Sequence, residues 1–585
     1  MFCSGKFRSS TTGVCWDSGA DGTIPVTDFA QTESAPTAWL IRSPVAYALI
    51  LLFGLALYLP GLRTIPAVDR DEARFAQATR QMLQSGDYID IRLQDEARLK
   101  KPIGIYWLQA AATKLAGGED MRNPIWTYRL PSLVGALGAI LVTLAIGRRW
   151  LGAEAGFAGA AMLAATLLLG MEARQAKTDA FLLLTVLVAM AGLAEAWMPA
   201  PGAAPMARWR WISFWAAIGI GILVKGPIIL MVVGLAAIVL TVSDRRFSWL
   251  ARLRPWPGIL IALAIALPWL VAITISSHGA FITQSLGGDM AAKLVGAKES
   301  HGAPPGAYLA MFPVTFWPGS LFALLALPWV WRNRHDRAVT LCLAWIVPSW
   351  LVVEAVPTKL PHYVLPLYPA IALLAGAALF DRLTSPIGRR PWAAYAAVGL
   401  WTLVGVALGG VVIAAAPLGD GRLSIRGIVA ALAIWAVTAG GAWFGWRGQR
   451  RQAAALVLIG SVVVLGLTFG AAIPALDAPW IAPRLKEALF EKLPAGHGPL
   501  LIAGYSEPSA LIALGTDTKF GGGADAAQLL AGSGNAIAIV GADQADAFEA
   551  GLDEAKVSAE SLGTVSGFNY AKGKRVALTL YRRAP

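Results

Sequence analysis

The stretch from Val68 to Trp107 concentrates the side chains best suited to chemistry. It begins V-D-R-D-E-A-R-F-A-Q-A-T-R and ends R-L-K-K-P-I-G-I-Y-W, so that acids (Asp69, Asp71, Glu72) come first and paired lysines (Lys100, Lys101) follow. A site that binds an anion and also moves a proton needs both kinds of group: fixed cations for the anion, and a carboxylate within reach of the proton. The stretch directly follows an apolar run. Charges beside membrane segments are costly and usually face a polar cavity or an interface.

The elements that must position these groups are membrane helices. Hydrophobic residues make up 56% of the 585 positions and charged residues only 15%, where a soluble domain carries roughly 25%. The net charge of +13 does not point to nucleic acid, because many of the basic residues fall in short turns between apolar runs, as in cytoplasmic loops. Cys3, Cys15 and Cys342 form neither a disulfide framework nor a metal spacing, and the five histidines include no H-x-x-x-H. The polar residues before 44 lack a cleavable leader pattern and read as a disordered cytoplasmic tail over 1–43, followed by an uncleaved anchor.

Candidate spans lie near 44–60, 129–147, 151–170, 180–198, 211–224, 226–242, 256–275, 306–330, 338–356, 361–380, 392–416, 426–446 and 453–473. This gives about 13 helices of a length able to cross a bilayer. The run 103–116 is short and interrupted by Gly104 and Gln109, which fits an interfacial or re-entrant segment. Omitting it, with the N-terminus inside, puts the arginine clusters at 148–149, 208–210, 245–254, 332–337, 382–390 and 447–451 on the cytoplasmic side. The loop 61–128, Lys177-Thr178-Asp179, Lys225-Gly226-Pro227, the loop 276–305 and Pro357–Pro361 then share the outer face.

On that face several residues have two readings. Asp71 and Glu72 open an amphipathic segment, 72–84, with Phe75, Ala76, Thr79, Met82 and Leu83 at helical spacing. They are either helix-terminal acids placed by the dipole or, for Asp71, a base for an acceptor hydroxyl. Thr178-Asp179 either caps the next helix or lines a cavity with Asp71. Lys101, Lys225 and Lys359 each precede a proline by one or two residues at a span end, so each is held at a defined turn. One such lysine is an anchor reaching for headgroups; three on one face, with Arg74, suit an anion site. The 276–305 loop adds Lys293, Lys298 and His301. The 23 tryptophans are accounted for by interfacial belts.

From about residue 476 the pattern changes. Short β-type runs (499–503, 536–540, 576–580) alternate with alanine-rich helical stretches (523–532, 542–555). The expected organisation is thus a membrane region over 44–475, with its outer loop at 61–128, and a small extracytoplasmic α/β domain over 476–585, of ordinary domain size. Gly521-Gly522-Gly523 is an isolated glycine run, not a nucleotide fingerprint.

The motifs D-E-A-R-F-A, K-K-P-I-G-I-Y-W-L, R-L-P-S, K-T-D, K-G-P and K-L-P-H-Y-V-L-P-L-Y-P-A together resemble the GT-C membrane glycosyltransferases. The group nearest in pattern is the lipid A aminoarabinose transferases, with rhizobial galacturonic acid transferases and protein mannosyltransferases more distant. The resemblance covers roughly 44–380. It implies a polytopic α-helical GT-C-like fold and inverting transfer of a sugar from a polyprenyl-phosphate (undecaprenyl-phosphate) donor to a lipid A, other lipid, glycan or protein acceptor at the periplasmic face of the bacterial inner membrane. By motif position it makes Asp71 and Asp179 the functional carboxylates. Glu72, Arg74, Lys101, Lys225, Lys293, Lys359 and Tyr363 become substrate-binding residues. Relatives often carry an acid where Lys100 stands; that difference argues against a divalent metal by this route and for direct phosphate binding. No other cofactor is implied.

Two other function classes compete. A transporter or lipid flippase should carry charges near the midplane of several spans, often in internal repeats, whereas here they cluster at span ends. A structural scaffold leaves the Asp and Lys cluster unexplained.

Overall fold

The expected spanning runs are helical in the computed structural model, which describes residues 40–117, 124–199, 202, 204–285, 302–381, 391–493 and 496–584. Among the described residues eight helices are long and apolar enough to cross a membrane, beginning with Ile125–Trp150 and ending with Arg450–Ala475. Val45–Tyr58, Ala153–Ala165, Ile228–Asp244 and Ser320–Arg332 are apolar but shorter. Two expected runs are broken. The run 151–170 divides at Thr166 into Ala153–Ala165 and Leu167–Glu172, and the Leu167 amide donates instead to the Trp317 carbonyl at 2.9 Å. The run 306–330 divides into Ala307–Thr315 and Ser320–Arg332, with Pro318 and Gly319 between them, as proline requires when it removes a helical donor. The segment Gly104–Leu115 is a helix of 12 residues, too short for a span.

Charge is sorted along the helices. At one end Arg42 pairs with Glu154, Arg149 and Arg210 with Glu195, and Arg337 with Asp244. At the other end lie Asp179 and Lys225, each at a helix terminus, and Lys177 in the turn before Asp179. Helix Ile125–Trp150 approaches Asp179–Trp197 closely because residue 135 is glycine; a Cβ there would sit 2.7 Å from the Ala180 backbone.

The outer segment is fastened to this bundle by one buried pair. The Arg129 guanidinium gives all five of its N–H bonds: Nε and one Nη to the two Glu72 oxygens at 2.7 and 2.9 Å, the others to the carbonyls of Leu62, Ile65 and Pro66 at 2.7–2.9 Å. The Glu72 oxygens also accept from the amides of Val68 and Ala176, both at 2.8 Å. Helix Asp71–Ser85, two residues longer than the expected 72–84, starts from this anchor.

The C-terminal region forms a five-stranded mixed sheet. A two-stranded ribbon, β1 (Arg92–Leu93) and β2 (Glu96–Ala97), precedes it in the outer segment. The sheet strands are β3 (Leu500–Ala503), β4 (Lys519–Gly521), β5 (Ile537–Gly541), β6 (Ala559–Asn569) and β7 (Lys574–Arg583), in the order β4-β3-β5-β7-β6. Strands β3, β5 and β7 overlap the three β-type runs expected from the sequence, β3 and β5 starting one residue later; β4 and β6 have no clear apolar signature. The glycine run at 521–523 joins β4 to helix Gly523–Gly532. Its amides are satisfied internally, Gly522 by Asp525 at 2.8 Å and Gly523 by Gln544 at 3.1 Å, so it does not cradle a phosphate.

Removing one partner of a fully buried ion pair typically costs roughly 3–5 kcal/mol. Glu72→Ala should therefore lower thermal stability sharply in detergent, and Glu72→Ala combined with Arg129→Met should regain part of the loss. Equal stability of Glu72→Ala and the unaltered protein would contradict the anchoring role.

Candidate active site

A cavity of about 340 Å³ opens at the end of the bundle that carries the lysines. Helix Asp71–Ser85 contributes Asp71 and Arg74; the ribbon and the turn after it contribute Glu96, Arg98, Lys100 and Lys101. The bundle supplies Lys177, Asp179, Lys225, His362 and Tyr363. Six of the nine residues singled out from the sequence thus meet here: Asp71, Arg74, Lys101, Asp179, Lys225 and Tyr363.

Three do not. Glu72 is 1% exposed, and its carboxylate is consumed by Arg129 and two backbone amides. Substrate binding by Glu72 is therefore corrected to a fastening role. Adjacent residues on a helix point about 100° apart, so Asp71 faces the cavity while Glu72 faces the bundle. Lys359 is 7% exposed and is corrected likewise: its ammonium donates to the carbonyls of Val353, Glu354 and Val356 at the end of helix Arg337–Ala355, completing a C-terminus. Lys293 falls outside the described residues.

Asp71 and Glu72 lie in the first turn of their helix, where the dipole favours acids, but capping by Thr178 fails: it precedes helix Asp179–Trp197 and makes no side-chain cap bond. The Asp179 carboxylate instead accepts from the Lys225 ammonium, and from the Thr178 hydroxyl at 3.3 Å. Beside it Lys177 Nζ lies 3.0 Å from Glu172 Oε1. The His362 ring sits between the two acids, Nδ1 3.8 Å from Glu172 and Nε2 3.9 Å from Asp179. Two carboxylates and two ammonium groups thus balance within one buried cluster. Among the described residues no ion pair or side-chain hydrogen bond engages the Asp71 carboxylate, which is half-buried at the cavity wall.

Glu172, Lys177, His362 and Arg98 were not among the residues picked from the sequence. Lys177 adjoins Asp179 in K-T-D, and His362 lies inside K-L-P-H-Y, so motif position was available for both. Glu172 had no signal, being a lone acid at the end of an apolar run.

Glu172, Asp179 and His362 each offer one ligand atom, all within 4.8 Å of one another. A divalent ion there would share a buried volume with the Lys177 and Lys225 ammonium groups, which already neutralise both acids. The donor set does not fit a metal.

Comparisons with known proteins agree with this architecture. The family model described as dolichyl-phosphate-mannose-protein mannosyltransferase matches residues 100–271. An undecaprenyl phosphate-alpha-4-amino-4-deoxy-L-arabinose arabinosyl transferase of Pseudomonas fluorescens is 25% identical over 62% of this chain and 59% of its own length. A namesake of Erwinia tasmaniensis is 27% identical over 56% of this chain and 58% of its own. The matches thus span about three fifths of these relatives. The crystal structure of ArnT from Cupriavidus metallidurans bound to undecaprenyl phosphate superposes with a TM-score of 0.71 at 20% identity, covering 93% of this chain and 98% of that one. The chain therefore has an ArnT-like GT-C fold and is a multi-pass membrane protein.

The balance of charges in the cluster is open to a double-mutant cycle. Lys225→Met strands Asp179 beside Glu172 and should cost roughly 3–5 kcal/mol. Lys225→Met with Asp179→Leu should cost clearly less than the sum of the two single changes. Strict additivity in denaturation experiments would show that the two side chains do not pair.

Proposed function

We propose that the chain is an inverting glycosyltransferase that moves a sugar from a polyprenyl-phosphate donor to an envelope acceptor, at the periplasmic face of the bacterial inner membrane. The observation that carries this reading is the cavity at one end of the bundle, where the Asp71 carboxylate, in no ion pair or side-chain hydrogen bond among the described residues, shares walls with Arg74, Lys101 and Lys225.

The chemistry follows from these groups. An acceptor hydroxyl attacks the anomeric carbon, its proton passes to Asp71, and the bond from that carbon to the phosphate oxygen breaks. The polyprenyl phosphate leaves with one more negative charge than it carried as the diester. Cations fixed in advance of the reaction stabilise that charge without reorganising, and Arg74, Lys101 and Lys225 are the groups in place to do so. Asp179 holds Lys225 and is already paired, so it serves to set the lysine; the proton goes to Asp71. Bringing two lipid-borne substrates into one cavity adds a proximity term. The arginine clusters at the far end of the bundle support a periplasmic cavity through the positive-inside rule. On the same reading, the region 44–475 is the catalytic domain, 476–585 a periplasmic domain, and 1–43 a cytoplasmic tail. The acceptor is a lipid, a glycan or a protein.

Three outcomes follow. With a pool of polyprenyl-phosphate sugars and a cell-envelope extract, mass spectrometry should detect transfer by the unaltered protein, and Asp71→Asn should reduce it ~10²–10⁴-fold. Full activity in Asp71→Asn would exclude this residue as the base. Lys101→Met and Lys225→Met should each weaken undecaprenyl phosphate binding about ten- to a hundredfold, the worth of a charged hydrogen bond, whereas Lys359→Met should not. In a background without Cys3, Cys15 and Cys342, Asp71→Cys should react with a membrane-impermeant thiol reagent from outside, and Arg334→Cys only after permeabilisation. The reverse pattern would invert the orientation.

A further inference from the structure

The C-terminal sheet domain grips the chain immediately before Asp71. The Asp69 amide donates to the Tyr570 hydroxyl at 2.7 Å. The Asp69 carboxylate accepts from the Ser509 amide at 3.3 Å and from the Tyr505 hydroxyl at 3.4 Å. The Arg70 guanidinium donates to the Ala571 carbonyl. Further along the same helix, Gln77 donates to Thr516 at 2.9 Å and Arg80 to the carbonyls of Leu511 and Ile512 at 3.2 and 3.3 Å.

Between Asp69 and Asp71 the backbone is strained. Arg70 has φ 65° and ψ −114°, a conformation that a side chain with a Cβ avoids unless its surroundings impose it. The groups imposing it come from the C-terminal domain on one side and from the Glu72–Arg129 anchor on the other. Rotating this residue back to an ordinary conformation would swing the first turn of helix Asp71–Ser85, and with it both Asp71 and Arg74.

We propose that Tyr570, Ser509 and Tyr505 of the C-terminal domain, acting through Asp69, form a positioning device that holds the Asp69–Arg70 turn and so aims Asp71 and Arg74 into the cavity. The proposal rests on the reading of Asp71 as the base. It gives the C-terminal domain a part in the reaction while placing none of its residues on the substrate.

The chemistry of the junction adds a pH signature. Asp69 is 6% exposed; burial, with a further push from Glu507, raises its carboxyl to about 6 against the lowering bonds from Ser509 and Tyr505. Glu507, Tyr505 and Tyr570 face it from the C-terminal domain, with Arg70 and Glu72 flanking it on its own segment. A raised acid favours the neutral form in the folded protein. Its contribution is fully present below the ordinary aspartate value and is lost as pH rises through about 6. Asp69→Asn, permanently neutral, should therefore stabilise the protein at pH 7.5 relative to the unaltered chain and make no such difference near pH 4.

The test uses the full chain in lipid nanodiscs, with Tyr570→Phe, Asp69→Ala and Asp69→Asn. Transfer from undecaprenyl-phosphate-linked 4-amino-4-deoxyarabinose to an envelope lipid extract reports turnover. Binding of undecaprenyl phosphate and amide exchange over residues 66–76 are measured alongside. Tyr570→Phe and Asp69→Ala should lower kcat about tenfold or more, keep undecaprenyl phosphate affinity within about twofold, and speed exchange at 66–76 while β5 and β7 stay protected. Asp69→Asn should restore turnover to within about threefold of the unaltered protein. Unchanged kcat, or a kcat loss accompanied by loss of protection throughout the sheet, would overturn the positioning role. If the unaltered protein neither transfers nor binds the lipid phosphate, the proposed function fails. The exchange at 66–76 then decides the junction alone: faster exchange in Tyr570→Phe upholds it, and unchanged exchange rejects it.

Discussion

The Glu72–Arg129 pair is the constraint on which the outer half of the molecule depends. Burying two charges is expensive unless nearly every donor and lone pair is used, and here both are: five guanidinium N–H bonds and four carboxylate acceptances. The partners reach three separate parts of the chain. Leu62, Ile65 and Pro66 are where the first helix gives way to the outer loop, Val68 precedes helix Asp71–Ser85, and Ala176 precedes Lys177 and Asp179. One saturated pair therefore sets the register between the two segments that bring Asp71 and Asp179 to the same cavity.

Within the cavity the two aspartates differ in what surrounds them. Asp179 sits in a buried cluster where Lys177 and Lys225 balance its charge and that of Glu172, and the His362 ring fills the space between the acids. Asp71, in the wall facing the opening, keeps a carboxylate available for an incoming group. On the proposed function the two roles are separated in this way, one acid to hold a cation and the other to take a proton, so that a single cavity can bind an anion and still contain a base.

The spans were legible because a run of about 20 apolar residues is a one-dimensional signal. The break at Thr166 was less so, because the Leu167 amide is satisfied by Trp317, a partner distant in sequence, whereas Pro318-Gly319 marks its own break. The charged motifs showed which stretches meet, through topology, but could not tell which side of each stretch faces the cavity. Glu72 beside Asp71, and Lys359 in the same Lys-Pro setting as Lys101 and Lys225, turn inward to satisfy Arg129 and a helix end. Helix rotation and carbonyl placement decide that, and neither is written in residue type. The C-terminal junction was hidden for a related reason: Asp69 stands in the acidic stretch, but its partners Tyr505 and Tyr570 are far away in sequence and belong to no motif.

In the proposed site Arg74, Lys101 and Lys225 hold a lipid phosphate within reach of Asp71. The most direct measurement is an experimental structure of the protein with undecaprenyl phosphate bound. Phosphate density should lie within hydrogen-bond distance, about 3 Å, of Lys101 and of Arg74 or Lys225, with an open approach from that phosphate to the Asp71 carboxylate. Phosphate density outside this cavity, or a phosphate that contacts none of these cations, would contradict it.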